Sequence, residues 1–208
     1  MILGIARGRL ISIEGLDGAG KTTLVAGLTR ALAEQGRELL VLREPGGVEL
    51  SERIRELVKD PGLDVHPRAE ALLYAAARAQ LVAEQLEPLL AEGRWVLLDR
   101  FVDSSLAYQG GGRALGIDVI RSLNAFGTGG LEPDLTLLLR LEPAAGLARV
   151  GTRLEGFDRL ESEQLAFWEA VTAAYDELAA AEPARIRVLD AAQPPERVLA
   201  DALAQLDG

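Results

Sequence analysis

The stretch that decides the fold of this chain is a glycine-rich loop, which reads Gly15-Leu16-Asp17-Gly18-Ala19-Gly20-Lys21-Thr22. It matches the pattern G-x-x-x-x-G-K-[ST] of a phosphate-binding loop. The largely apolar residues 10–13 before the loop are typical of a buried strand. After the loop, leucines recur at four-residue spacing, as on one face of a helix that ends near residue 36. The loop is therefore predicted to join the end of a strand to the start of a helix.

A loop in this position can bind the phosphates of a nucleotide triphosphate. Its glycines let successive backbone N–H groups approach phosphate oxygens, and the helix N-terminus adds partial positive charge at the same place. Lys21 can reach the β- and γ-phosphates, while the Thr22 hydroxyl can ligate Mg²⁺. The alternative is a glycine-rich turn that matches the pattern by coincidence, and the order of strand, loop and helix argues against it.

The length of 208 residues allows one domain or, less comfortably, two, and a single domain over residues 1–208 accounts for every predicted element. The composition argues against several kinds of partner. Of the 208 residues, 49% are hydrophobic and 26% are charged, which provides enough apolar material for a core. The formal net charge of −10 argues against general binding to nucleic acid or to acidic membranes. The absence of cysteine excludes disulfides and thiolate metal sites. No apolar run approaches the roughly 18 residues of a membrane span, and the first residues do not resemble a secretory signal, so we expect a cytoplasmic protein.

Five short apolar runs alternate with helical patterns along the chain. The predicted strands lie at residues 10–13, 38–42, 95–98, 135–139 and 186–189. The predicted helices lie at about residues 22–36, 48–59, 67–92, 117–126, 143–150, 162–181 and 196–206. Pro88 is expected to kink or end the third helix. Apolar strands that alternate with helices indicate a parallel sheet covered by helices on both faces, which is the α/β class.

Charged residues follow most of the predicted strands, at the carboxyl ends where ligands gather in such sheets. The second strand leads to Arg43, and the third leads to Asp99 and Arg100. Asp99 follows four apolar residues and is expected to hold Mg²⁺ or its water shell, with capping of the next turn as the alternative. Arg100 is expected to contact phosphate oxygens, and a structural salt bridge is nearly as plausible.

Asp17 is unusual for electrostatic reasons, because a carboxylate inside a loop that attracts anions works against that loop. A sugar hydroxyl or a metal-bound water nearby would explain its presence. The alternative is a local turn in which the Asp17 side chain bonds to the backbone. The residues alone leave both interpretations open.

Two further groups of residues suggest contacts with a nucleotide. Tyr74 and Arg78 lie at positions i and i+4 of the long predicted helix and so share one face. An aromatic plane beside a guanidinium suits a nucleobase, although a core position is the better interpretation of Tyr74 by itself. The segment 149–159 holds three arginines and little apolar content, so it could close over transferring phosphates; a solvated surface loop is the alternative.

Five blocks of sequence, taken together and in order, resemble the bacterial thymidylate kinases. The blocks are IEGLDGAGKTT at 13–23, REPGG at 43–47, LLYAAARAQ at 72–80, LLDRFVDSSLAYQGGGR at 97–113 and DRLE at 158–161. The resemblance implies a three-layer P-loop kinase fold, with a five-stranded parallel sheet in the order 2-3-1-4-5 and a short lid at about residues 149–160. It also implies transfer of the γ-phosphoryl group of MgATP to the 5′-phosphate of dTMP, giving dTDP and ADP in dTTP biosynthesis, by a homodimer.

By position, the resemblance implies a set of residues for the donor nucleotide and for catalysis. Those for ATP are Gly15, Leu16, Asp17, Gly18, Ala19, Gly20, Lys21, Thr22, Thr23 and Arg149. Those for catalysis are Asp17, Lys21, Arg100 and Arg153, and those for Mg²⁺ are Thr22 and Asp99. Arg153 is expected to be the transition-state arginine, with Arg149 as its substitute, because the phosphate loop itself contains no arginine, as in the bacterial subclass.

The resemblance also implies where the acceptor nucleotide binds. Its 5′-phosphate is expected at Arg43 and Arg100, and its 3′-hydroxyl is expected near Asp17. Tyr108 is expected to crowd the 2′ position and so to favour deoxyribose over ribose. The base site is expected to comprise a stacking aromatic ring, an arginine at the base edge and two further polar residues, namely Tyr74, Arg78, Ser105 and Gln109.

Two other functions stay open on the residues alone. One is a different small kinase of the same fold that acts on another nucleotide or on a nucleoside. The other is an ATP-driven switch that hydrolyses slowly, which would need a dedicated water-positioning residue that is not identifiable in the sequence. Initial rates with different acceptors test the first alternative, and ATP consumption with and without an acceptor tests the second.

Overall fold

The computed structural model describes residues 7–150, 159–160 and 163–206. The strands are β1 (Leu10–Gly15), β2 (Leu39–Arg43), β3 (Trp95–Asp99), β4 (Leu135–Arg140) and β5 (Ile186–Asp190). The helices are α1 (Lys21–Glu34), α2 (Glu49–Lys59), α3 (Pro67–Leu81), α4 (Glu87–Ala91), α5 (Val102–Ser105), α6 (Ile117–Thr128), α7 (Pro143–Val150), α8 (Leu165–Ala181) and α9 (Pro195–Leu206). Two π-helical turns continue these helices, Val82–Leu86 between α3 and α4 and Leu106–Gly112 after α5.

The five strands form one parallel sheet in the order β2-β3-β1-β4-β5, which confirms the predicted α/β class and strand order. β1 lies at the centre of the sheet, and all of its residues are buried. β2 and β3 lie on one side of β1, and β4 and β5 lie on the other, so the strand order reverses next to β1. In parallel sheets, ligands bind outside the carboxyl ends of the strands at such a point. The phosphate loop follows β1 and therefore lies at this crevice.

Helices cover both faces of the sheet, because successive strand residues point to opposite faces and both sets are apolar. On one face, Ile11 of β1 shares a core cluster with Leu28 of α1 and Ala202 of α9. On the other face, Leu10 of β1 shares a second cluster with Val171 of α8. Burial on both faces is the physical reason that the strands are continuous apolar runs in the sequence.

The long helix predicted over residues 67–92 is interrupted without being ended. Regular α-helix stops at Leu81, and the π-helical turn Val82–Leu86 leads directly into α4. Pro88 lies in the first turn of α4 and has no backbone N–H to continue the α-helical ladder. The wider turn accommodates Pro88, so the predicted kink takes the form of a local widening of the helix.

The sequence patterns missed the helical segment that continues α5 through Leu106–Gly112. Consecutive glycines lower helix propensity, and for this reason no helix was predicted there. The glycines are required by the close approach of α8. A β-carbon on Gly111 would lie 2.5 Å from the β-carbon of Ala174, and one on Gly112 would lie 2.6 Å from the Phe167 ring. This requirement is tertiary, and local patterns do not reveal it.

Candidate active site

A cavity of about 400 Å³ lies at the carboxyl ends of β1, β2 and β3, where the sheet topology predicts a ligand. The phosphate loop, the segments after β2 and β3, and helices α2 and α3 contribute its lining. The predicted site residues that line it are Asp17, Gly18, Gly20, Lys21, Thr22, Thr23, Arg43, Tyr74, Arg78, Asp99, Arg100, Ser105, Tyr108, Gln109 and Arg149. Of the other predicted site residues, Gly15, Leu16 and Ala19 do not line the cavity, and Arg153 lies outside the described residues.

The phosphate loop has the backbone that anion binding requires. Gly15, Gly18 and Gly20 have φ angles of 131°, 80° and 98°, a region that L side chains rarely adopt. Gly20 immediately precedes α1, and that helix begins with no side-chain cap and no acidic residue in its first turn. The first N–H groups of α1 are therefore left for a ligand, together with the positive end of the helix dipole.

Lys21 and Asp17 are held together inside this loop. The Lys21 side chain is buried, and its Nζ donates hydrogen bonds to the carbonyls of Gly15 at 3.2 Å and Leu16 at 3.0 Å. Burial lowers the pKa of Lys21, and the nearby Arg100 adds to that effect. Burial alone would raise the pKa of Asp17, but Arg100 and Lys21 more than offset it and hold this pKa well below its usual range. Asp17 is thus a fixed anion between two cations.

Arg100 occupies an uncommon backbone conformation at the end of β3, with a φ angle of 74°. Its Nη2 donates to Asp17 Oδ1 at 2.7 Å, and its Nη1 donates to Ser104 Oγ at 3.1 Å. The guanidinium also lies over the Tyr108 ring, 4.9 Å from its centroid. The salt bridge with Asp17 is present, whereas the contact of Arg100 with phosphate oxygens stays a prediction that its position in the cavity permits.

Asp99 has a buried carboxylate oxygen that could bind a cation. It ends β3, pairs in register with Ile13 of β1 and lines the cavity beside the phosphate loop. Its Oδ1 is buried and accepts no hydrogen bond from any residue in the described ranges. Because an unpartnered buried carboxylate oxygen is costly, this atom is suited to a ligand, and the Thr22 hydroxyl lies on the same cavity. Mg²⁺ is commonly held by one or two protein oxygens together with phosphates, which this pair fits.

Arg78 is built into the wall of the cavity. The residue is 2% exposed, and its Nε donates to Glu44 Oε2 at 2.7 Å. Its remaining N–H groups bond to Glu44, Ser105, Asn124 and the carbonyl of Phe101. Four hydrogen bonds and the ion pair with Glu44 therefore hold the guanidinium within the protein. The expected contact of Arg78 with a base edge stays a prediction, and it would require one of these bonds to be exchanged.

Helix α2 contributes two cations that the sequence patterns missed. Arg55 and Lys59 lie one helical turn apart and both line the cavity. Arg55 Nη1 donates to the carbonyl of Pro45 at 3.0 Å, which holds the side chain beside the segment after β2. The predicted Arg43 also lines the cavity, and its guanidinium pairs with Glu52 at 3.0 Å. The i, i+4 spacing of Arg55 and Lys59 could have revealed this pair, because residues at that spacing share one face of a helix.

Glu14 is a fully buried carboxyl group directly before the phosphate loop. Its oxygens accept hydrogen bonds from the backbone N–H of Phe101 at 2.7 Å, from Ser104 Oγ at 2.5 Å and from Tyr175 Oη at 2.8 Å. Burial raises the pKa of Glu14 to about 7, with a further contribution from Asp103. Because Phe101 follows Arg100, this carboxyl group fixes the segment that carries the site arginine.

The raised pKa makes stability depend on pH. Glu14 favours the protonated form when folded, so its contribution is fully present below pH 4.5 and is lost as the pH rises toward 7. Between pH 5 and pH 8, the free energy of unfolding of the wild type should therefore fall by about 2–3 kcal/mol relative to Glu14→Gln. Urea unfolding followed by circular dichroism at both pH values measures this, with the exposed Glu34→Gln as control. A difference that does not change with pH would contradict the prediction.

Known proteins of one family are similar to this chain over nearly its whole length. The family model described as "Thymidylate kinase" matches residues 13–202, which include every described segment that lines the cavity. Similar proteins include a thymidylate kinase from Lactobacillus delbrueckii subsp. bulgaricus, 51% identical over 197 residues and 93% of each chain. Another, from Oenococcus oeni, is 50% identical over 202 residues, 95% of this chain and 94% of the relative. A third, from Deinococcus radiodurans, is 48% identical over 197 residues and 95% of each chain.

Proposed function

Since this chain belongs to the thymidylate kinase family and converts dTMP to dTDP with ATP and Mg²⁺, we propose that the cavity is the site of this transfer. The observation that supports the assignment most strongly is that one cavity unites the phosphate loop with the residues expected to hold the acceptor. The γ-phosphoryl group of ATP passes to the 5′-phosphate of dTMP, and ADP and dTDP leave.

The phosphate loop and the start of α1 bind the donor phosphates. The uncapped N–H groups of α1 and the Lys21 ammonium face the same anion, so binding needs no rearrangement of the helix. Thr22 and Asp99 hold Mg²⁺, as the unpartnered Asp99 oxygen supports. Bound Mg²⁺ neutralises negative charge on the donor phosphates. These residues supply positioning and charge, and none of them needs to act as a nucleophile.

The acceptor phosphate is already an anion at neutral pH, so transfer needs no strong general base. The protein instead brings two anions together and cancels their charge, which is the main requirement of phosphoryl transfer. Arg100 serves this purpose from the acceptor side, and Lys21 serves it from the donor side. Asp17 stays ionised between them and accepts a hydrogen bond from the acceptor 3′-hydroxyl. This role explains a carboxylate inside an anion-binding loop.

Replacing Arg100 by alanine should lower kcat/KM for dTMP by about 10²-fold, because the acceptor phosphate loses one of the two guanidinium groups expected to hold it. Initial rates with varied dTMP at saturating MgATP measure the loss. Arg100→Lys keeps the charge without the planar fork and should show an intermediate loss. Unchanged kinetics for dTMP in a folded Arg100→Ala variant would remove Arg100 from the acceptor site.

The choice among acceptors tests the proposed function against its rivals. Initial rates are measured with dTMP, dUMP, UMP and CMP under the same conditions, and ATP consumption is recorded with and without each acceptor. A thymidylate kinase consumes ATP rapidly only with an acceptor and prefers dTMP. A preference for ribonucleotides would contradict the role of Tyr108 at the 2′ position. Fast ATP consumption without any acceptor would indicate a switch.

We further propose that the enzyme is cytoplasmic and acts on small molecules, with neither nucleic acid nor a membrane as partner. The net charge of −10 and the lack of cysteine support this assignment. Within the described ranges, no helix combines the length and the apolar character needed to cross a membrane. Fractionation of cells that express a tagged chain tests the location.

The exposed apolar side chains of helices α3 and α6 support a homodimer. Helices α3 and α6 pack side by side, since a β-carbon on Gly127 would lie 3.3 Å from the carbonyl oxygen of Ala75. Their outer faces expose large apolar side chains, namely Leu72 at 58%, Val119 at 63% and Phe126 at 90%. Exposed apolar groups of this size mark interaction surfaces, and a second copy of the chain offers a matching face.

Phe126→Lys should convert the dimer to a monomer, because a charge replaces an aromatic anchor that is worth about 2 kcal/mol or more at an interface. Light scattering after size exclusion should show the mass fall from twice 22.2 kDa to 22.2 kDa. Val188→Lys, on the edge strand β5, is the matched control and should leave the mass unchanged. A wild-type mass of 22.2 kDa would contradict the proposed dimer.

A further inference from the structure

We propose that Glu70 sets the base preference of the acceptor site by fixing the side-chain amide of Gln109, so that the amide oxygen faces the bound base. The inference rests on the proposed function, because it takes the cavity as the acceptor site. Glu70 itself does not line the cavity, so it acts through Gln109 and is a positioning residue.

Glu70 is a carboxylate that can only accept hydrogen bonds. It lies in the first turn of α3, is fully buried and pairs with Arg113 at 3.2 Å and with Arg159 at 2.6 Å. A carboxylate between two guanidinium groups offers oxygens and no donor. Any amide group that meets it must therefore present its nitrogen. Gln109 does so, because its Nε2 donates to Glu70 Oε1 at 2.8 Å.

This bond decides the direction of the Gln109 amide. The amide is planar, so commitment of its nitrogen to Glu70 turns its oxygen away from Glu70. Within the described part of the chain no group donates to Gln109 Oε1, and this oxygen is not among the buried polar atoms that lack a partner. Gln109 lines the cavity, as do Tyr74 and Ser105. The bond to Glu70 therefore leaves the Gln109 oxygen as an acceptor atom available at this point of the cavity.

An acceptor at this position distinguishes two classes of pyrimidine. Thymine and uracil carry a hydrogen on N3 and can donate it to the Gln109 oxygen. Cytosine has a lone pair on N3, which the same oxygen repels. A fixed amide therefore favours dTMP and dUMP over dCMP, and the discrimination includes a repulsive element against the wrong base. An amide that is free to flip would accept either class.

Glu70→Gln frees the Gln109 amide, because a glutamine can offer either a donor or an acceptor to it. We measure kcat/KM for dTMP, dUMP and dCMP at saturating MgATP, and the unfolding midpoint of each variant. The ratio of dTMP to dCMP should fall at least about tenfold, while the ratio of dTMP to dUMP stays unchanged. A merely structural role would lower all three values equally, and that result would overturn the proposal.

A second variant keeps the proposal testable if loss of the buried Glu70 prevents folding. Gln109→Leu removes both the attraction to N3–H and the repulsion of the cytosine lone pair. It should lower kcat/KM for dTMP and dUMP and raise it for dCMP. Gln80→Leu, on α3 outside the cavity, is the matched control and should change none of the three. A fall for dCMP as large as that for dTMP would show that the Gln109 amide does not distinguish the two bases and would overturn the proposal.

Failure of the role of Glu70 can be distinguished from failure of the proposed function. A wild-type enzyme that forms no dTDP contradicts the proposed function. A wild-type enzyme that forms dTDP, combined with an unchanged dTMP to dCMP ratio in folded Glu70→Gln, contradicts only the role of Glu70.

Discussion

Lys21→Ala will lower kcat/KM for ATP by at least about 10³-fold, with little change in the unfolding midpoint. Lys21 is the only cation within the phosphate loop, and its Nζ is already held at the loop by the carbonyls of Gly15 and Leu16. The ammonium therefore meets the donor phosphates without further ordering of the side chain. Its removal also leaves Asp17 facing those phosphates with Arg100 as its remaining cationic partner in the site.

Steady-state rates with varied ATP at saturating dTMP measure this effect. Arg30→Ala is the matched control, since Arg30 is an exposed cation on the same helix α1 and lies outside the cavity. Its activity should equal that of the wild type. If folded Lys21→Ala retained more than about a tenth of the wild-type value, the loop would not carry the donor charge as described.

The second large effect is expected from Arg153→Ala, which should cost about 10³-fold or more in kcat, as for an arginine finger. Arg153 lies outside the described residues, but the role of its neighbour Arg149 supports the choice. Arg149 lines the cavity, and its guanidinium donates to the carbonyls of Gly18 at 3.2 Å and Ala191 at 3.4 Å. A guanidinium held by these carbonyls at the loop suits donor binding, so the transition-state charge is expected from Arg153.

The comparison of Arg149→Ala with Arg153→Ala separates the two roles. Arg149→Ala should act mainly on KM for ATP, whereas Arg153→Ala should act on kcat at saturation with both substrates. Single-turnover rates with both variants measure the chemical step directly. Near-normal turnover in Arg153→Ala, together with a large loss in Arg149→Ala, would exchange the two assignments.

The fold was predictable because its determinants are local. The three inner strands are largely apolar on both faces, and the helices show their own periodicity, so a parallel sheet covered on both sides was the expected solution. The π-helical turn Leu106–Gly112 was not predictable in this way. Gly111 and Gly112 are required because α8 packs too closely to leave room for a β-carbon. This helix begins more than fifty residues later in the sequence, so no local pattern reveals the requirement.

The sequence predicted those site residues that belong to a continuous motif or directly follow a strand. The phosphate loop is a continuous motif, and Asp99 and Arg100 end a strand. Glu14 and Glu70 escaped notice because their partners are distant in sequence, as with the bond from Tyr175 to Glu14 and the pair of Arg159 with Glu70. A carboxyl group inside an apolar pattern is the sign that could have found Glu14.

The central claim is that this cavity neutralises two anions so that ATP passes its terminal phosphoryl group to a thymine monophosphate. The most direct measurement incubates the purified enzyme with γ-³²P-labelled ATP, Mg²⁺ and dTMP and then separates the nucleotides. The account predicts that label appears in the β-phosphate of dTDP and that Lys21→Ala slows this transfer by at least about 10³-fold. Label recovered only as inorganic phosphate, or dTMP left unconverted, would contradict it.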